Sequence, residues 1–358
     1  MKKTVVFLLL LFVFAVPVRA EDIYSYFETE KIEEALPEDA KEILSEYGID
    51  SKDITEKLDS KGFLTLVGDF LKNGFNGILG ISCSVLSLVL ISSLMSSFST
   101  GTTTEAVETV CLLSCSCVLI TGIYSCISAA LQTIKGAFAF MTAAVPVYMG
   151  LMITASKPVS AASAGGVLLL SCQVMSTVFS FVLTPVMNGY LAVGVCSAFS
   201  GEKGVASLMD TLKKAGMWFY SLCTSVFLFL LSVNSVAGSV KDNLVMKTAK
   251  FVLGTAVPVA GAALSESASA VAASVNLMRG SVGIYILICV AVIVLPLVCS
   301  LIFWRFSMLV IKNVSDILSC FKLSVLFSVC EAVISLLLGF VLLSLALITI
   351  SMGVLIKL

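Results

Sequence analysis

Polar residues collect at the front of the chain, and from residue 78 onward apolar residues run almost to its end. Several of these runs reach 18 residues or more, the length at which an apolar helix can cross a bilayer. Segments 78–98, 106–131, 137–155, 160–184, 215–237, 247–264, 281–303 and 324–350 are each expected to form a membrane-inserted helix. Shorter stretches at 185–200 and 304–322 either lie along the interface or extend the helices before them. Lipid offers no water to exposed backbone groups, so the fold class is all-α: a polytopic membrane protein with about 8 inserted segments. Composition agrees. The chain is 58% hydrophobic and 13% charged, with mean hydropathy +1.07, whereas a soluble domain carries roughly 25% charged residues.

The front of the chain is different. Lys2 and Lys3 precede an apolar core from Thr4 to Val16, and "VRA" precedes Glu21. This resembles a secretory signal peptide, residues 1–20, cut after Ala20. The core would rise only about 20 Å as a helix, too short to span comfortably. Residues 21–60 hold 14 Asp or Glu against four Lys. With a signal peptide ahead of it, this acidic segment is exported. Pro37 suits a first helical turn, acids follow it at the positive helix end, and Gly48 can close that helix. Ile43, Leu44 and Tyr47 then share one face. A second short helix is expected from Asp50 or Ser51. "FLTLVGDFLKNGF", residues 63–75, is an amphipathic lead-in to the first span. The expected organisation is therefore an exported acidic segment at 21–77, a first transmembrane hairpin at 78–134, and two membrane units at 135–246 and 247–358.

Those two units carry an internal repeat. "AAVPVYMG" at 143–150 matches "TAVPVAGA" at 255–262, pairing Pro146 with Pro258. "LTPV" with Pro185 then matches "LPLV" with Pro296, and "YSLCTSV" matches "FSVCEAV", pairing Cys223 with Cys330. A proline inside a helix loses a backbone hydrogen bond and clashes with the preceding turn. In lipid that defect is tolerated only against protein or water, so Pro146 and Pro258 are expected to face inward. Small residues follow each, "SAASAGG" and "SESASAVAAS", and would let backbones approach closely. Broken helices in matching places of two halves point to a transporter-like centre, with either crossing or re-entrant segments.

Charge does not choose between those topologies. With an exported N-terminus, full crossing puts Lys157, Lys241, Lys247, Lys250, Arg305, Lys312 and Lys322 inside. Re-entrant segments put Lys203, Lys213, Lys214, Arg305, Lys312 and Lys322 inside. Each arrangement leaves nearly as many cations outside, contrary to the usual bias.

Catalytic chemistry is thin. The chain has no histidine, which removes Ser-His-Asp triads, HExxH zinc sites and histidine proton relays. It has no GxxxxGK[ST] phosphate loop. Its twelve cysteines lie in or beside apolar segments and none lies in 21–77, so they read as small hydrophobes, "CLLSCSC" included, rather than as disulfides or metal ligands. No catalytic residue, cofactor, metal or nucleic-acid partner is expected. Glu331 is the most deeply placed carboxylate, about two turns into the last span, and an intramembrane acid is a functional candidate by default. Ser265 and Glu266 join it, with Pro146, Pro185, Pro258 and Pro296, as candidate pathway or helix-break residues. Gln173, Asn188 and Asn234 are weaker candidates.

"KTAKFVLGTAVPVAGAALSES" followed by "SVGIYILICVAVIVLPLV" resembles the second half of the stage III sporulation protein AE family of endospore-forming bacteria. The matching positions are Lys247, Ala249, Lys250, Phe251, Pro258, Gly261, Leu264, Ser265 and Pro296. The first unit matches more loosely, with Phe138 and Phe140 near the place of Phe251 and Gly150 near that of Gly261. The resemblance covers nearly the whole chain and implies a role rather than a reaction. It implies a multi-pass subunit, in the mother-cell membrane around the forespore, of the channel complex joining the two cells and needed for late forespore development. The partners implied are other stage III sporulation membrane and ring proteins and a separate ATPase, with the bilayer around them and self-association open. A stand-alone permease for a small solute and a non-conducting scaffold remain the alternatives.

Overall fold

The computed structural model describes residues 30–46, 60–98, 102–154, 157–200, most of 207–229 and 261–357. The expected signal peptide, the helix expected from Asp50, Pro258 and most of segment 247–264 lie outside the described residues. Seven helices are used below: α1 Glu30–Glu34, α2 Glu38–Glu46, α3 Ser60–Phe98, α4 Thr102–Thr154, α5 Pro158–Ser200, α6 Gly261–Ile317 and α7 Phe321–Lys357. The described positions between 207 and 229 are helical as well. Among the described residues, five helices are long and apolar enough to cross a membrane, and they belong to α3, α4, α5, α6 and α7.

Among the described residues, the helices are longer than the expected segments. Segments 106–131 and 137–155 are one helix, α4, of 53 residues. Only Lys135 and Gly136 mark the expected break, and neither stops a helix whose neighbours are Leu, Ile and Ala. The lead-in 63–75 likewise runs unbroken into the first span within α3. Stretches 185–200 and 304–322 extend the helices before them: α5 continues to Ser200 and α6 to Ile317.

α6 and α7 form an antiparallel hairpin with the most extensive contact in the molecule, and α4 lies along both. Their turn is short. Ser319 takes a left-handed conformation, φ 56°, which lets Cys320 N–H donate to the Ser315 carbonyl at 3.0 Å. The Ser315 hydroxyl donates to the Cys320 carbonyl at 3.1 Å. Together these bonds satisfy groups that the end of α6 would otherwise leave open. α3 packs on α4 and α6, while α5 packs on α4 and, through its last seventeen residues, on α7. Phe138 of α4, Phe179 of α5 and Phe340 of α7 stack in the centre, with ring centroids 6.0 and 6.4 Å apart. Glycines admit large neighbours: a Cβ on Gly122 would lie 2.7 Å from the Trp304 ring.

The prolines do not break these helices. Pro146 lies inside α4 and is exposed, not inward. The reason is competition for the core, because Phe138, Met141, Val145, Tyr148 and Met152 take the buried face. Pro185 is exposed too, and α5 passes through it instead of ending there. A wider helical turn at Phe179–Leu183 comes just ahead of it and relieves the clash that the proline ring makes with the preceding turn. Pro296 sits half-buried inside α6. Since Pro146 distorts a helix that stays intact without contributing to the core, Pro146→Ala is expected to stabilise the protein by about 1–3 kcal/mol. Thermal unfolding in detergent checks this, and a lowered midpoint would show that neighbouring helices depend on the proline.

The helix expected after Pro37 forms as α2, with the Pro37 carbonyl accepting from Ala40 and Lys41 N–H at 3.0 Å each, and the short helix α1 ahead of it is an addition the sequence reading did not include. Far from standing free, α1 packs on α4 and α2 on α6. Ile32, Leu36, Ala40 and Leu44 are buried there, while Glu34, Glu38, Asp39 and Glu42 stay exposed. The cysteines behave as small hydrophobes. Cys115, Cys126, Cys172, Cys289 and Cys330 are buried, and every described cysteine is a free thiol.

Candidate functional site: a polar seam between two membrane helices

Glu331 is not isolated. Its Oε1 lies 3.5 Å from Arg305 Nε on α6 and accepts from the Ser335 hydroxyl at 3.3 Å. Nearer the turn, Lys312 Nζ donates to Ser328 Oγ at 3.4 Å, and Ser324 Oγ donates to Asp316 Oδ1. Ser324, Ser328, Glu331 and Ser335 recur at four, three and four residues, so they share one face of α7. Arg305, Lys312 and Asp316 answer them from α6. The hairpin thus carries a polar seam inside an apolar pair of helices. Its α7 edge, Ser324 to Ser335, is about 16 Å long.

Neighbouring helices close around the seam. Tyr190 of α5 lies within electrostatic reach of Glu331 and of Asp210. Gly194 of α5 receives Val329 so closely that no Cβ would fit. At the turn, Lys322 Nζ lies 3.6 Å from Glu108 Oε2 of α4. Burial pushes the Cys320 thiol up from its ordinary range, opposed by a hydrogen bond with Ser92 of α3. The seam therefore touches α4, α5, α6 and α7, with α3 at its turn end. Chemically it is a set of paired charges: a guanidinium, its carboxylate, and hydroxyls that can donate or accept. Among the described residues, no group of three or more Cys, Asp or Glu is placed to hold a metal ion.

Of the residues singled out from sequence whose side chains are described, Glu331 alone belongs to the seam. Pro296 lies on α6, nine positions before Arg305. Pro146 and Pro185 lie elsewhere on exposed faces, and Gln173 is exposed on α5. Ser265 and Glu266 fall on the α6 backbone, with side chains outside those described. Pro258 and Asn234 lie outside the described residues. Sequence reasoning missed Arg305, Lys312, Asp316 and the serines. A signal existed: Arg305 and Glu331 are equally distant from Leu318, so a tight turn there sets them opposite each other.

The family model described as Stage III sporulation protein AE matches residues 42–356. The chain belongs to the stage III sporulation protein AE family. The matched interval takes in the end of α2 and every helix from α3 to α7, and with them the whole seam. Stage III sporulation protein AE of Bacillus subtilis (strain 168) is 23% identical to this chain, over 76% of the chain and 72% of the relative. No solved structure matches.

Proposed function

We propose that this protein is an integral-membrane subunit of a channel or secretion-like complex that joins mother cell and forespore and supports late forespore development. The observation that carries the reading is the family match across residues 42–356, on a chain whose described helices include five long and apolar enough to span. In this reading the protein sits in the mother-cell membrane around the forespore. Its partners are other stage III membrane and ring proteins and their ATPase, and it contributes no enzymatic step of its own. The internal repeat at 135–246 and 247–358 remains part of the reading, with Pro185 and Pro296 each inside a long helix. The unbroken passage of α4 through Pro146 favours a rigid core over a stand-alone permease working through broken helices.

Deletion in the parent bacterium should leave engulfed forespores that fail to mature, and the tagged protein should co-purify with the ring proteins and ATPase. Normal spore yield without the protein would refute the role. Solute uptake by the lone protein in vesicles would favour the permease.

A further inference from the structure

We infer that α4 crosses the membrane once, and that the acidic helices, the end of α4 and the C-terminal end of α7 all emerge on the exported face. The α6–α7 turn, the end of α3, the start of α4 and the end of α5 lie on the cytoplasmic face. The export of the acidic helices is the expectation drawn from the signal-peptide-like residues 1–20, whereas the grouping of chain ends rests on geometry alone.

Contacts along α4 order the bundle from end to end. Glu108 of α4 meets Lys322 beside the turn, and Ser92 of α3 meets Cys320 in it. Forty residues further along α4, about 60 Å, Tyr148 meets Gly283 of α6, where Ile356 near the end of α7 also packs. Pro37, between α1 and α2, rests against Gly136. That position is about 18 Å from Tyr148 and about 42 Å from Glu108 along the helix. The acidic helices therefore sit toward the C-terminal end of the bundle and away from the turn.

Length then decides how often α4 crosses. Its 53 residues rise about 80 Å, against a bilayer of about 40–45 Å with headgroups. A single unbroken helix of that length cannot cross and return, so part of it must project. The exposed acids Glu34, Glu38, Asp39 and Glu42 cannot enter hydrocarbon, so beside them α4 has already left it. Between Glu108 and Gly136 there is room for the roughly 30 Å hydrocarbon core, and the outward side chains there suit lipid. Leu90 and Leu94 of α3, Val110 and Leu113 of α4, and Phe306 and Leu309 of α6 are large, apolar and exposed. Beyond Lys135 the exposed positions of α4 include Ala139, Ala143, Pro146 and Gly150, with no large side chain until Ile153. On α5 the exposed Leu170, Val174 and Phe181 lie nearer the Tyr148 end, so the apolar belt runs obliquely, as for a tilted bundle. Lys312 and Lys322 then lie toward the cytoplasmic boundary, in line with the positive-inside bias, while Arg305, next to the Trp304 that meets Gly122 of α4, lies deeper and is paired with Glu331.

The test uses the full-length protein in intact cells, labelled with a membrane-impermeant maleimide before and after lysis. Single variants Glu42→Cys, Thr154→Cys, Ser200→Cys and Ile317→Cys and a C-terminal cysteine tag are compared with the unaltered parent, which reports the native thiols. Glu42→Cys, Thr154→Cys and the tag should label in intact cells, and Ser200→Cys and Ile317→Cys only after lysis. Thr154→Cys behaving like Ile317→Cys would overturn the single crossing of α4. If all five positions exchange sides, the grouping survives but the exported orientation falls, while the proposed role, which rests on the family match, is untouched.

Discussion

Arg305→Ala is expected to destabilise the protein more than Glu331→Ala, and the double alanine variant less than the sum of the two. Removing Arg305 strands a carboxylate whose side chain is 23% exposed, with the Ser335 hydroxyl still beside it. Removing Glu331 strands a longer side chain that is 42% exposed and can bend toward headgroups or water. An unpaired charge in a membrane helix costs about 2.5–3.5 kcal/mol on insertion scales. The exposed share of each group screens that cost, so about 2 kcal/mol for Arg305→Ala and about 1 kcal/mol for Glu331→Ala are the appropriate sizes. The double variant leaves no charge to satisfy and should recover part of the loss, a coupling that a double-mutant cycle isolates. Unfolding midpoints in detergent and steady-state abundance in the membrane both report it. Equal, additive losses would show that Arg305 and Glu331 do not act as a pair. A charge swap, Arg305→Glu with Glu331→Arg, should restore abundance while leaving spore formation to report whether orientation matters.

The same pair shows how far sequence carries. Periodicity and run length were enough for an all-helical membrane protein, because lipid leaves the backbone no alternative to internal hydrogen bonding. Leu36 and Leu44 were bound to be buried somewhere once α2 formed, yet nothing local says that α4 and α6 would cover them. Lys135 and Gly136 looked like a connection between two spans. They fall inside one helix because the buried face continues across them, from Ile127, Ala130 and Ile134 to Ala137, Phe138 and Met141, and packing outweighs the weak stop signal of one glycine. Pro146 was expected to face inward on the strength of its missing N–H. The bulk of Phe138, Met141 and Tyr148 outweighed that defect and turned the proline outward. Glu331 stood out because a carboxylate in an apolar run is conspicuous, while Arg305 did not, since it sits where α6 was expected to leave the membrane. Only the length of α6, which continues to Ile317, and the tight turn after it bring the two together.

Close helix contact should make Gly194→Ala far more damaging than Gly165→Ala, although both place one methyl group in a helix contact. At Gly194 the new Cβ would collide with Cγ1 of Val329 and lie 3.1 Å from Cγ2 and 3.2 Å from Cβ. Valine branches at Cβ and keeps one strongly preferred rotamer in a helix, so it cannot turn away. Relief has to come from moving α5 off α7, beside Glu331 and Tyr190. At Gly165 the new Cβ would approach Met149 at Cγ 2.5 Å and Sδ 2.7 Å, but that chain is unbranched, and its rotatable bonds let it leave. Overpacking costs about 1–3 kcal/mol; Gly194→Ala belongs at the upper end and Gly165→Ala near or below the lower, where the helix preference of alanine offsets about 1 kcal/mol. Val329→Ala in the Gly194→Ala background should return much of the lost stability by clearing the methyl groups. If Gly194→Ala unfolds at the parent's midpoint, or if Val329→Ala fails to rescue it, α5 and α7 are not held at this contact and the enclosure of the seam by α5 is wrong.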